Sequence, residues 1–386
     1  MHRACGISRG YGWGVTRTRT YLDSGGGTPL HPAARTAMVA ALEDGWADPR
    51  RLHSEGRRAA LLLDAARQVF ADVLGTRPEE LRFTPSHTAG LHAAVLAVAG
   101  ARHRVGNRVV VSAVERAAVL AAAEHAGEAV VVPVDRSGQV DLVAWRAALA
   151  APTAVAALQH ANGEVGTLQP VAPAWEAARA AGVPLLVDAG ASVGHVEVAP
   201  AWDVLAANPA DWGGPPGIGV LALRSPVRTR WPGPEDAEPW APGGVSVPAA
   251  VGAAAALQAV LAERAESDAR RRALVARIRN QVLAEVSDVD LAGDPDRRLP
   301  HVLTFSCLYV DGEALVTELD RRGFAVGSGS ACTTSSLTPS HVLAAMGMLT
   351  HGNVRIALGP EVTDDDVDRF CAQLPEAVAA VRALST

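Results

Sequence analysis

Residues 153–190 read TAVAALQHANGEVGTLQPVAPAWEAARAAGVPLLVDAG. The stretch opens on Ala154–Gln159, an apolar run without alternation. It passes through an alanine-rich helical stretch and closes on a second apolar run, Leu185–Asp188, that ends in a carboxylate. A run that does not alternate belongs to a strand buried on both faces, and such strands separated by helices make a parallel sheet. Working outward, Val-rich runs at Arg108–Ser112 and Ala129–Val134 come before it and Gly219–Leu223 after it, while helical periodicity covers Ala33–Glu43 and Arg57–Leu74. Residues 21–245 are therefore expected to form an α/β domain built on a doubly wound, mostly parallel sheet. The segment Ser225–Gly244, rich in Pro, Trp and Gly, reads as a connection. It leads into a long helix, about Pro248–Val286, whose run Glu263, Arg264, Glu266, Asp268 and Arg270–Arg272 is read as a solvated face. Strands are expected at His301–Cys307, Phe324–Val326 and Val354–Leu358, and helices at Gly312–Arg322, Ser340–Met346 and Asp364–Leu384. Residues 246–386 thus form a small α+β domain. Residues 1–20 carry Arg and Gly but no secretory apolar core, and read as a loose extension.

The chain has 386 residues, of which 49% are hydrophobic and 20% charged, with a formal net charge of −6. This is a globular composition. A net acidic chain lacks the basic face of a general nucleic-acid binder. No apolar run reaches the roughly 18 residues of a membrane span. Four cysteines, Cys5, Cys307, Cys332 and Cys371, are too scattered for a disulfide framework, which points to a reducing cytoplasm. All 35 residues counted as Lys+Arg are arginine, and the chain contains no lysine. Chemistry through a lysine Schiff base is excluded for this chain acting alone.

Several local patterns carry candidate chemistry. Phe83–Gly90 runs from a short strand into an apolar helix through Ser86 and Thr88. Hydroxyls and N–H groups at a helix start hold an anion such as phosphate, or one of the hydroxyls simply caps the helix. Asp188 ends its strand at the edge where such sheets bind ligands. It either pairs with a protonated ring nitrogen or caps the next loop. Gly327-Ser328-Gly329-Ser330-Ala331-Cys332-Thr333-Thr334 is a flexible loop with a thiol near its centre, whereas Cys307 and Cys371 read as packing residues. Arg355 lies inside an otherwise apolar strand and needs an anion, either a ligand carboxylate or a structural acid. The 12 histidines show no metal spacing, and no metal is expected.

In order, these pieces resemble the cysteine desulfurase branch of the class V aminotransferases over about residues 20–386. The carriers are Tyr21-Leu22-Asp23 with Thr28-Pro29; Asp48-Pro49 with His53 and Gly56-Arg57; Phe83-Thr84; Asn162 to Thr167 with Gln169-Pro170; Val187-Asp188; Gly213-Gly214-Pro215 with Gly217-Ile218-Gly219; and above all Gly327 to Thr333. The resemblance implies the type I pyridoxal-phosphate transferase fold and a homodimer. It also implies pyridoxal phosphate as the family's cofactor, held as a lysine imine. In that family the loop cysteine takes the sulfur of substrate cysteine as a persulfide and leaves alanine.

The same comparison of motifs implies departures. The lysine position carries Asp211, and the phosphate-binding histidine before it is Ala210. The histidine that stacks on the ring is replaced by Arg116, behind Glu115. A glutamine becomes Ala191, the second Asn of Asn-Asn-Glu becomes Gly163, and a partner-chain threonine becomes Gly244. Thr88 and Asp188 for the cofactor, Arg355 for substrate and Cys332 as sulfur acceptor remain. Arg116 is read either as a surface residue or as a guanidinium that stacks on a flat ring. The expectation is a desulfurase-like protein that has lost lysine-imine catalysis and serves as a persulfide relay or partner subunit through Cys332. Its partners are a second copy or an intact paralogue, together with a sulfur-acceptor protein. The alternatives are an active pyridoxal-phosphate desulfurase with atypical cofactor handling, and a non-catalytic scaffold.

Overall fold

The computed structural model describes residues 19–328 and 339–384. Residues 1–18 of the expected extension 1–20 and most of the Cys332 loop lie outside the described residues, while Thr20, read as part of that loose extension, is buried and paired in a short strand. A seven-stranded sheet contains β2 (Leu81–Thr84), β3 (Arg108–Ser112), β4 (Glu128–Val132), β5 (Thr153–Gln159), β6 (Leu185–Asp188), β7 (Val204–Ala207) and β8 (Gly219–Leu223), in the order β2-β8-β7-β6-β5-β3-β4. Only β8 runs against its neighbours. Strand β5, inside the sheet between β6 and β3, is buried at every residue, as its unbroken apolar run requires. Helices cover both faces, so the expected doubly wound, mostly parallel α/β sheet is present.

Three strands escaped the sequence reading, the two-residue Thr20–Tyr21 among them. β7 is a four-residue Val-Leu-Ala-Ala run and β9 (Val289–Ala292) a half-buried one. β4 stops at Val132, two residues short of the expected end, because Pro133 has no N–H to donate to the ladder.

The long helix, α7 (Val247–Glu285), has 39 residues, about 58 Å at the usual rise per residue. Ser246 caps it, accepting from the Ala249 N–H, and Pro248 stands in its first turn, where a missing N–H does no harm. Its first half packs small residues, Ala250, Gly252 and Ala253, against α1 (Pro32–Asp44). A Cβ at Gly252 would stand 2.4 Å from the Met38 side chain, so the two helices approach this closely only because glycine is there. Its second half sends Leu274, Val275, Ile278 and Val282 into a separate core. That core covers the antiparallel sheet β9-β10-β12, with β10 at Val302–Cys307 and β12 at Asn353–Ala357. Near the first described residues, β1 (Thr20–Tyr21) pairs in parallel with β11 (Phe324–Ala325), and Leu22 is buried in the same core. Among the described residues no helix is long and apolar enough to cross a membrane.

Candidate functional site

The parallel strands of the large sheet end along one edge, and the residues that follow them converge there. His87 comes after β2, Arg116 after β3, Asp188 ends β6, and Asp211 sits in a 3-10 turn, Pro209–Trp212, after β7. Ser86 caps α3 (His87–Ala101) by accepting from the Ala89 N–H at 3.1 Å. The cap is thus Ser86; Thr88 is exposed in the first turn.

Asp188 is 2% exposed and receives three donors. His87 Nε2 lies 2.8 Å from Oδ1, and because an ionised carboxylate only accepts, that nitrogen carries the ring proton. The Gly190 N–H donates to the same oxygen at 2.8 Å, and Arg116 Nε donates to Oδ2 at 2.8 Å. Burial opposes ionisation here. The His87 and Arg116 charges, with the hydrogen bonds from His87 and Gly190, outweigh it and hold the carboxyl well below the usual range. Gly190 is needed because a Cβ there would stand 2.5 Å from His87 Nε2 and break the contact.

Arg116 thus bonds Asp188 from within the chain and is no mere surface residue. Its Nη2 also lies 3.9 Å from Asp211 Oδ2. Two small residues leave room for it, since a Cβ at Gly163 would already be 3.4 Å from the Ala191 Cβ and 3.7 Å from Arg116 Nη2. Asp211 Oδ1 accepts from Asn208 Nδ2 at 3.1 Å. Burial pushes its carboxyl up to about 6, against the lowering influence of Arg116, His87 and Asn208.

The raised value has a consequence for stability. A carboxyl whose folded pKa lies above its unfolded value supports the fold below the unfolded value, and that support is lost as pH rises through the folded value, here from near 4 to about 6. Asp211→Asn keeps an oxygen for Asn208 and removes the charge. Denaturant unfolding at pH 8 is expected to show a gain of about 1–3 kcal/mol over the parent, vanishing near pH 4. A variant no more stable at pH 8 would contradict the burial of this charge.

Arg355 stands apart from the Asp188 cluster. Its Nη2 pairs with Asp23 Oδ1 at 2.8 Å, so a structural acid holds the strand arginine. It exchanges backbone hydrogen bonds with Gly327, at the base of the Cys332 loop. Cys332 itself lies outside the described residues. Cys307 and Cys371 are buried, and burial pushes both thiols up to about 11, in keeping with packing residues.

The sequence reading missed His87, hidden between the cap and Thr88, and two buried carboxyls. Glu115 holds the Ser112 hydroxyl and the Gln159 N–H on one oxygen, and burial pushes it up to about 8. Glu164 accepts from Ser340 Oγ at 2.6 Å, and burial pushes it up to about 7. Neither signals its burial in sequence, because Glu115 stands beside Arg116 past the end of a strand and Glu164 follows Gly163, positions that read as loops.

Pyridoxal phosphate as a lysine imine does not fit these residues. No lysine exists, Asp211, at the position the resemblance gives to the lysine, is a mostly buried carboxyl, and Asp188, the carboxylate that by the same resemblance would meet the pyridine nitrogen, already takes His87, Gly190 and Arg116.

Comparison with known proteins gives a consistent lineage. Residues 20–370 match the family model described as aminotransferase class-V. A cysteine desulfurase from Cereibacter sphaeroides is 35% identical over 383 residues, covering 95% of this chain and 97% of that protein. An IscS-like cysteine desulfurase from Mycobacterium tuberculosis is 37% identical over 384 residues, covering 94% and 97%. A solved NifS-like protein superimposes with a TM-score of 0.86 at 24% identity, over 94% of this chain and 100% of that one, and so shares its type I pyridoxal-phosphate fold. By family model, relatives and fold, the chain belongs to the class V aminotransferases, among those that resemble cysteine desulfurases.

Proposed function

We propose that this chain is a desulfurase-family protein that has given up lysine-imine catalysis and works as a persulfide relay or partner subunit through Cys332. The observation that carries the reading is the Arg116 guanidinium on Asp188, 2.8 Å away, where the family places a pyridinium. An arginine there satisfies the buried carboxylate permanently, which a cofactor site in use does not need. The small residues Gly163 and Ala191 around the guanidinium, in place of Asn and Gln, support the same reading.

The intact Gly-Ser-Gly-Ser-Ala-Cys-Thr loop supports a retained role for the thiol. Arg355, at the base of that loop and already neutralised by Asp23, serves to shape the loop's start. The partner is a second class V chain, its own copy or an intact paralogue, and the compartment is the reducing cytoplasm. Leu42, Trp46 and Leu52, exposed on α1 and the turn after it, support such an association.

The test is sulfur transfer. With an intact desulfurase and cysteine supplying labelled sulfur, the parent is expected to accumulate label as persulfide, and Cys332→Ser is expected to lose nearly all of it. Equal labelling of the two would end the relay role. Alanine produced from cysteine by the purified chain alone would end the loss of catalysis.

A further inference from the structure

A cavity of about 360 Å³ opens on the main-chain side of Asp211. It is distinct from the Asp188 cluster. The Asp211 carboxyl faces Asn208 and Arg116, whereas its carbonyl oxygen accepts from His195 Nε2 at 2.8 Å and from Thr28 Oγ1 at 3.2 Å, and both of these residues line the cavity. Neither His87, Thr88, Arg116 nor Asp188 lines it. The volume is that of a small-molecule site.

Its lining is graded. Leu30, Trp212, Val260 and Leu358 give apolar walls. The deep end is built from His195, Arg271 and His301, which are 5%, 4% and 6% exposed. The mouth carries Glu263 and Glu361, both exposed.

The deep end holds an unmet hydrogen-bonding group. Because His195 Nε2 gives its proton to a carbonyl, its Nδ1 is a lone pair, and it takes Arg271 Nη1 at 3.3 Å. The other side of Arg271 is tied to Asp268 at 2.7 Å. His301 lies against His195 with ring centroids 4.1 Å apart. Its Nδ1 is sealed in without a partner, and no hydrogen bond among the described residues holds its Nε2, which is the nitrogen left open to the cavity. Burial, and then the charges of His195, Arg271, Arg298 and Arg272, keep its ring neutral. A neutral imidazole in a field made positive by several arginines offers an N–H that suits an anion, and a buried ring with no partner is rare in a finished core.

We propose that this cavity binds a small zwitterion with an apolar body. Its carboxylate meets the Nε2–H of His301 in the positive deep end, and its ammonium lies at the acidic mouth between Glu263 and Glu361. Dianions such as phosphate esters are turned away by the two glutamates, and purely apolar molecules leave His301 unmet.

The probe is 4-(aminomethyl)benzoate, titrated calorimetrically into the full chain, with benzoate and benzylamine as the two half-molecules. The zwitterion is expected to bind roughly tenfold or more tightly than either half, the effect of one charged hydrogen bond. His301→Phe keeps the ring and its stacking but removes both nitrogens, and is expected to bind the zwitterion roughly tenfold more weakly. Val260→Trp fills the space from the partly exposed wall and is expected to abolish binding; it carries the test if the histidine variant does not fold. No measurable binding to the parent, benzylamine binding as well as the zwitterion, or undiminished binding in the folded variants would each overturn the proposal.

Discussion

Mixed with pyridoxal phosphate and then dialysed, the parent chain is expected to come out colourless, while the triple variant Arg116→His/Ala210→His/Asp211→Lys is expected to retain the cofactor and show an imine band. Two separate obstacles stand in the parent. The first is covalent, because carboxylates form no imines and the chain supplies no ε-amino group. The second is competition. A pyridinium can reach Asp188 only by displacing Arg116, a charge-assisted bond worth about 1.5–3 kcal/mol, and it loses the histidine that would have held the phosphate, worth about as much again. Together these weaken binding by roughly two to four powers of ten. Restoring Asp211→Lys alone is expected to do little, since the new ammonium would face the Arg116 guanidinium, whose Nη2 now lies 3.9 Å from the Asp211 carboxylate. All three changes are needed, because Asp211→Lys supplies the amine, Arg116→His clears Asp188 and Ala210→His restores a phosphate contact. A parent that stays yellow at one cofactor per chain would refute the proposed loss. A triple variant that folds and stays colourless would show that the pocket has diverged beyond these positions.

The strands of the large sheet were legible where burial on both faces wrote an unbroken apolar run, as in β3, β5 and β6. β7 was not, because a four-residue Val-Leu-Ala-Ala run before an Asn-Pro carries too little signal to separate a strand from a loop. The identities at the site, Asp211 and the missing lysine above all, were legible because they depend only on which residue stands in a motif. What those residues do to one another was not. Arg116 and Asp188 are 72 positions apart, and Arg355 and Asp23 are 332 apart. Sequence alone left both arginines open, Arg355 between a ligand carboxylate and a structural acid, Arg116 between a surface residue and a guanidinium stacked on a flat ring. Only the convergence of strand ends on one edge, and the pairing of the first described residues with the C-terminal core, put each on a carboxylate of the chain. His87 illustrates the same limit, since its place between a cap and a hydroxyl gives no hint that its ring turns inward to a carboxylate 101 positions away.

Arg116→Ala is expected to destabilise the fold by about 2 kcal/mol at pH 7, read as a shift of the denaturant midpoint. Removing one partner of a fully buried pair costs about 3–5 kcal/mol. The figure here is set lower because the guanidinium is 39% exposed and His87 remains to serve the other oxygen. Asp188 is 2% exposed and does not move to water, so the loss lies in the orphaned carboxylate and not in the missing arginine. The double variant Arg116→Ala/Asp188→Asn removes that orphan and is expected to recover part of the loss, even though it changes one more residue. The pH dependence carries the same signature. In the parent the Asp188 carboxyl is held below its unfolded value, so its support is present above about pH 4 and lost as pH falls through the folded value. In Arg116→Ala part of that support is missing already, His87 and the Gly190 N–H supplying the rest, so the gap between the two proteins is widest at neutral pH and narrows below about pH 4. A single variant as stable as the parent at pH 7, or a gap that widens in acid, would mean that Arg116 is not what keeps Asp188 ionised, and the guanidinium could then no longer be counted as the pocket's resident cation.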